Sequence, residues 1–167
     1  ETLSDAGAEI VATHGLEDFE RIKRLHRALI AGEFARVHQS LVESYESLYS
    51  QQSLALVEEG KQFGERELEE ARESCMALRR RLDAILDERG FEACLTPAAP
   101  SVAPRGLERT GDPVRNLPWT HAGVPSLSLP SGRDSRGLAF GLQVAGRFND
   151  DRNLADTGRW LEERLRG

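Results

Sequence analysis

The sequence predicts an α/β fold in which a mainly helical segment, residues 1–90, precedes a strand-rich segment with a C-terminal helix, residues 91–167. Two patterns carry that expectation. Apolar residues recur at three- and four-residue steps through most of the first segment, the period of a helix with one face on a core. In the second they come in short runs bounded by proline and glycine, the mark of strands. At 39% hydrophobic and 30% charged over 167 residues, the composition is that of a chain that folds.

At the N-terminus, LSDAGAEIVATHG reads as the end of a helix, a glycine turn and a short strand at Glu9–Ala12. Phe19, Ile22, His26, Leu29, Ile30, Val37, Leu41 and Leu48 then mark one or two amphipathic helices over Glu17–Ser50, with Gly32 as a candidate break. SQQSLALVEEGKQFG follows as a looser stretch. Leu68, Ala71, Cys75, Leu78, Leu82 and Ile85 define another helix. Glu65, Glu67, Glu69 and Glu70 in its first turns and Arg79–Arg81 near its end suit the helix dipole, and Gly90 stops it. A coiled-coil seam has similar spacing, but about three heptads without a longer repeat read as a core-facing helix.

Phe91–Thr96, short, apolar and followed by proline, reads as a buried strand. In PAAPSVAPRGLERTGDP, four prolines and two glycines preclude regular structure, and the apolar residues argue for an ordered connection. A short helix near Leu117–Ala122, a strand at Ser126–Leu129, the polar turn PSGRDSRG and a longer strand at Leu138–Ala145 follow. Asp150 caps a last helix with Leu154, Leu161 and Leu165 on one face. Pro97, Pro125 and Pro130 read as strand terminators, and Gly141 and Gly146 as signs of a bulge or a close backbone approach.

A net charge of -6, with Arg and Lys spread among Glu and Asp, argues against nucleic acid as a partner. No run has the length of a membrane span, and ETLSDAGAEI lacks the basic and apolar regions of a signal peptide, so the expected setting is the cytoplasm with no membrane partner. Cys75 and Cys94 lack metal-ligand spacing and read as small buried hydrophobes; neither metal nor organic cofactor is expected. The two lysines, Lys23 and Lys61, stand at no Ser-x-x-Lys spacing and in no glycine-rich loop, so a Ser–Lys nucleophilic pair is unsupported. His14, His26, His38 and His121 are scattered, and nothing joins Ser126, His121 and Asp112 into a triad.

The densest information lies in Thr96-Pro97, Ala103-Pro104, Asn116, Gly123-x-Pro125, Leu129-Pro130-x-Gly132, Gly141-Leu142-Gln143 and Gly146. In this order and dispersion they resemble the C-terminal part of the amidase-signature family: a strand ending in Thr-Pro, an Ala-Pro loop, an Asn or Thr ahead of Gly-x-Pro, a Pro-x-Gly turn, a Gly-x-Gln strand and a final helix. Glu33-Phe34-Ala35 and Glu59-Gly60 extend the likeness upstream. Ala93-Cys94 depart from it where the family often has an Asp before Thr-Pro.

The resemblance implies a mixed sheet flanked by helices, and an amidohydrolase cleaving carboxamide C–N bonds through a Ser-cis-Ser-Lys triad on a segment N-terminal to everything seen here. On that reading the chain holds no catalytic residue and is inactive alone. It supplies sheet and pocket wall, with Asn116, Trp119 and Thr120 as candidate substrate-binding residues and a small amide reached through the complete enzyme. Capping by Asn116 and core packing by Trp119 are the structural alternatives. The glutaminase-type component of a glutamine-dependent tRNA amidotransferase shares the pattern; its Thr and Asn, where this chain has Asn116 and Thr120, lean the choice toward a plain amidase. A non-catalytic binding module is the third reading. Truncation would strip neighbours from strands such as Leu138–Ala145, so self-association is expected.

Overall fold

In the computed structural model, which describes residues 2–108 and 110–165, the helices are α1 (Thr2–Asp5), α2 (Phe19–Tyr45), α3 (Gln51–Gly60), α4 (Glu65–Arg89), α5 (Leu117–Ala122) and α6 (Asp151–Leu165). The strands are β1 (Cys94–Pro97), β2 (Ser126–Arg133) and β3 (Ala139–Ala145). The chain divides into two compact units: Asp18–Ala77, and the stretch up to Glu17 together with the chain from Leu78 onward.

In the first unit α2 buries Ile22 and Leu25 and then only small residues, Ala28, Ala31, Gly32 and Ala35. The small residues are there because neighbours come close. A Cβ on Gly60 of α3 would stand 2.0 Å from the Ala31 carbonyl oxygen, and one on Gly32 would stand 2.5 Å from Leu68 Cδ2. Gly32 is therefore no break; the helix runs through it because Leu68 requires the space. The face chosen from large apolar residues is also corrected: Ile30, Val37, Leu41 and Leu48 are exposed. The stretch read as loose is α3, started by Ser50, whose Oγ accepts the Ser53 N–H at 3.1 Å. Exposed ion pairs, Arg21–Glu70 at 2.9 Å and Arg27–Glu59 among them, each contribute at most about 1 kcal/mol.

In the second unit the strand order is β1-β3-β2, both pairings antiparallel. β3 is thus the central strand, and the expectation that it lost its neighbours is overturned; β1 and β2 are the edges. On one face Val144 lies in register with Leu95 and Leu127, and it joins Leu129, Leu154 and Leu161 in a core capped by α6. Fully burying one such side chain stabilises by about 1.5–3 kcal/mol. α6 sits close to β2, because Gly158 leaves room for Leu127: an added Cβ would meet Leu127 Cδ2 at 2.7 Å. Asp150 accepts the Leu154 N–H on its carbonyl and holds Asn153 Nδ2 with Oδ2 at 3.0 Å.

Boundaries differ where proline and pairing compete. β1 begins at Cys94 rather than Phe91 and is half-buried. β2 continues past Pro130 to Arg133, because a residue in an edge strand can turn its missing N–H away from the ladder; the strain appears as a register shift between Pro130 and Gly132. Residues 9–12 form no strand. They have no partner strand among the described residues, and Ile10 and Val11 are exposed. The connection 98–112 has no helix or strand among its described residues, and Leu107, read as an apolar anchor, is fully exposed.

Candidate substrate-pocket wall

The 3-10 turn Pro113–Arg115 starts with Asp112, whose Oδ1 accepts the Val114 N–H at 2.9 Å, and delivers the chain to Asn116 and α5. α5 ends at Gly123, in the left-handed region at φ 67°, where the N–H groups of Gly123 and Val124 close on the carbonyls of Thr120 and Trp119. Arg79 from α4 completes that end. Its Nε donates to the Ala122 carbonyl at 2.8 Å, and its guanidinium lies 3.5 Å from the centre of the Phe148 ring. Nearby, Arg147 donates to Asp87 at 2.9 Å and to the Phe91 carbonyl at 3.0 Å, holding the approach to β1 against the end of α4.

Between α5 and the sheet stands Gln143, a 5% exposed amide in an apolar strand. It faces away from the α6 core, in register with Thr96 on one side and Ser128 on the other. Its Oε1 accepts from Trp119 Nε1 at 3.0 Å and from Thr96 Oγ1 at 3.5 Å, while its Nε2 donates to Asn116 Oδ1 at 2.7 Å. A carboxamide in this place matches an indole donor and a carbonyl acceptor at once, which an apolar residue cannot do. The resulting arrangement is assigned from these partners: Asn116 turns its oxygen to Gln143 and keeps its Nδ2 to donate elsewhere.

The three residues read as substrate-binding take separate positions. Trp119 is 3% exposed and lines a cavity of about 1230 Å³ with Thr96, Cys94, His14, Ile85 and Trp160. Asn116 and Thr120 are exposed, and Thr120 Oγ1 donates to the Asn116 carbonyl at 3.1 Å. Asn116 occupies the capping position of α5, but its side chain makes no capping bond and serves Gln143 instead. A second cavity, about 710 Å³, opens on the other side of Thr96 and is walled by Pro97, Thr110, Asp112, Phe140 and Leu142. Thr96 and Leu95 are common to both cavities. Sequence reasoning noted Thr96 and Gln143 only as parts of motifs; a lone Gln amid the run LAFGLQVA was the available signal for a buried polar hub.

The wall carries hydrogen-bonding groups and little that transfers protons. Both lysines lie outside this unit, Lys61 paired with Glu58 at 2.6 Å and Lys23 with Glu20 at 3.8 Å. Burial pushes the Cys94 thiol up from its ordinary value, against a smaller opposing pull from Arg147, so it is not a ready thiolate. Among the described residues no group of three His, Cys, Asp or Glu is placed to hold a metal.

No family model matches the chain. It is 40% identical over 79 residues to the glutaminase-type component of the Glutamyl-tRNA(Gln) amidotransferase of Gluconobacter oxydans, covering 43% of this chain and 16% of that protein. The corresponding protein of Pelagibacter ubique is 36% identical over 81 residues, covering 44% and 17%. A crystal structure of an amidase superposes with a TM-score of 0.85 at 30% identity, covering 98% of this chain and 39% of that one. The chain is a C-terminal portion of the amidase-signature fold. The peptide amidase of Stenotrophomonas maltophilia, at 21% identity, shares that fold with a TM-score of 0.71 over 99% of this chain and 38% of its own. The chain thus spans about a sixth of the length of these curated amidase-signature relatives and under two fifths of the solved structures. No helix is long and apolar enough to cross a membrane.

Proposed function

We propose that this chain forms sheet and substrate-pocket wall for an amidohydrolase that cleaves carboxamide C–N bonds, with the nucleophile supplied by a segment outside it. The observation that carries the reading is the Gln143 hub. By taking the Asn116 carbonyl oxygen, it leaves the Asn116 amide hydrogens to meet an acceptor such as a substrate carbonyl. Trp119 gives the wall an aromatic surface, and Thr120 steadies the Asn116 backbone. The partners in this proposal are a small amide and a second copy of the chain. The setting is cytoplasmic, in keeping with two free cysteines.

A second reading, the glutaminase-type component of a glutamine-dependent tRNA amidotransferase, is favoured by what the curated relatives are called. Two assays separate the cases. The purified chain should hydrolyse an aryl amide no faster than buffer; an enzyme-like rate would place the chemistry within it and sink the proposal. A chimera in which the chain replaces the C-terminal portion of an active amidase should turn over simple carboxamides in preference to glutamine, whereas a preference for glutamine would support the second reading.

A further inference from the structure

α2 is apolar on two opposite sides. Its inner side is the small-residue face that packs within its unit, and its outer side carries large residues left open to solvent. Ile30, Val37 and Leu41 are 42%, 63% and 42% exposed, and Leu48, in the 3-10 turn Glu46–Leu48 that follows the helix, is 80% exposed. With the half-buried Phe34 and with Ser44 they form the row 30, 34, 37, 41, 44, 48, whose steps alternate four and three. That is the spacing of a coiled-coil seam, and from Ile30 to Tyr45 it runs about 22 Å at 1.5 Å per residue.

Three further observations bear on the occupant. The row is palindromic: a two-fold axis at position 39 sets Val37 against Leu41, Phe34 against Ser44 and Ile30 against Leu48 of a second copy, so that the largest residue meets the smallest. Its flanks, Glu33, His38, Ser40, Tyr45 and Ser47, carry one acid, and that acid is paired with Arg72 of its own unit, so two copies meet without like charges in the seam. A helix lying on a membrane borders its apolar stripe with Lys and Arg, and an anionic lipid surface repels a chain of net charge -6. Phe34 is already fixed, stacked on His38 at 4.1 Å between ring centres, with His38 Nδ1 bonded to the Tyr49 hydroxyl at 2.8 Å, so little side-chain order is lost on pairing.

We propose that the outer face of α2 is a homodimer interface, packed antiparallel about a two-fold axis near position 39. The self-complementarity of the row is what an isologous contact requires. The interface does not depend on the amide-hydrolysis reading and uses no sheet edge.

Sedimentation of the purified chain over micromolar to millimolar concentration should show a reversible monomer–dimer equilibrium. The double variant Val37→Asp/Leu41→Asp, altered only at exposed positions, should keep its far-ultraviolet circular dichroism and dimerise at least about a hundredfold more weakly. A third variant, Phe140→Lys near the free sheet edge, should dimerise as the parent does. In a Cys75→Ser/Cys94→Ser background, a mixture of Val37→Cys and Leu41→Cys chains should form the mixed disulfide faster than either chain alone forms its own. A monomeric parent would overturn the proposal, as would a dimer indifferent to the double variant or lost with Phe140→Lys. Faster disulfides within each single variant would refute the antiparallel arrangement. Binding to phosphatidylserine vesicles that is abolished by the double variant, in a chain that stays monomeric, would reassign the face to lipid.

Discussion

Replacing Gln143 with leucine keeps the volume and removes every polar atom from the hub. The Trp119 indole N–H, in a residue 3% exposed, then loses its acceptor in a place water does not reach, which costs about 1–3 kcal/mol. Asn116 loses a bond of 2.7 Å but can turn to solvent, which adds about 0.5–1.5 kcal/mol. The Thr96 contact at 3.5 Å is weak and adds little. The expected loss is therefore about 2–4 kcal/mol in urea denaturation followed by far-ultraviolet circular dichroism, a probe that does not depend on tryptophan. The thermodynamic cycle with Trp119→Phe sharpens the test. Phenylalanine has no donor to strand, so Gln143→Leu should cost about 1–2 kcal/mol less in that background. Equal costs in both backgrounds, or a loss under about 0.5 kcal/mol in the parent, would refute the claim that Gln143 organises the wall.

Three other perturbations follow from the geometry. Gly60→Ala places a methyl 2.0 Å from a backbone oxygen of α2, which cannot yield as a side chain can, so the thermal midpoint should fall by many degrees, corresponding to more than about 3 kcal/mol; a change within error would contradict the packing. Arg79→Ala removes both the bond to the Ala122 carbonyl and the ring contact with Phe148, and should cost about 1–2 kcal/mol and raise amide exchange at Gly123 and Val124; unchanged exchange would remove Arg79 from its capping role. In the turn after β2, burial pulls the Asp134 carboxyl up, but the Arg136 side chain and the N–H groups of Leu138 and Arg136 together outweigh it and hold it below the usual range. A lowered folded value means a stabilisation present above the ordinary carboxylate value and lost as pH falls through the lowered one. Leu138 amide protection, followed by exchange across that acid range, should decline there, and protection flat with pH would contradict the assignment.

Where the sequence pattern was local, it was sufficient. α4 combines a regular apolar period with acidic first turns and a glycine stop, α5 matches its expected range, and β3 is a run of apolar residues long enough to stand out. Failures arose where a distant residue decides. Gly32 suggests a break until Leu68 is seen to need its space, and α3 is obscured because Gly60, a poor helix former, is there for the Ala31 carbonyl. The face of α2 misled because size was taken as burial, while close helix approach selects Ala and Gly for the inside. Pro130 ends a strand on propensity alone but is accommodated at an edge with a bulge. At the wall, Trp119 and Asn116 could be named from the motif, but their roles depend on Gln143, twenty-four residues from one and twenty-seven from the other, which no local pattern joins.

The central claim is that Asn116, oriented by Gln143, faces an amide substrate while the chemistry resides elsewhere. Its most direct test is kcat/KM for an aryl amide in the active-amidase chimera that carries this chain, with and without Asn116→Ala. The account predicts a loss of roughly tenfold or more, as expected for one hydrogen bond of about 1.4 kcal/mol or more to the substrate. Unchanged kcat/KM in a folded variant would contradict it.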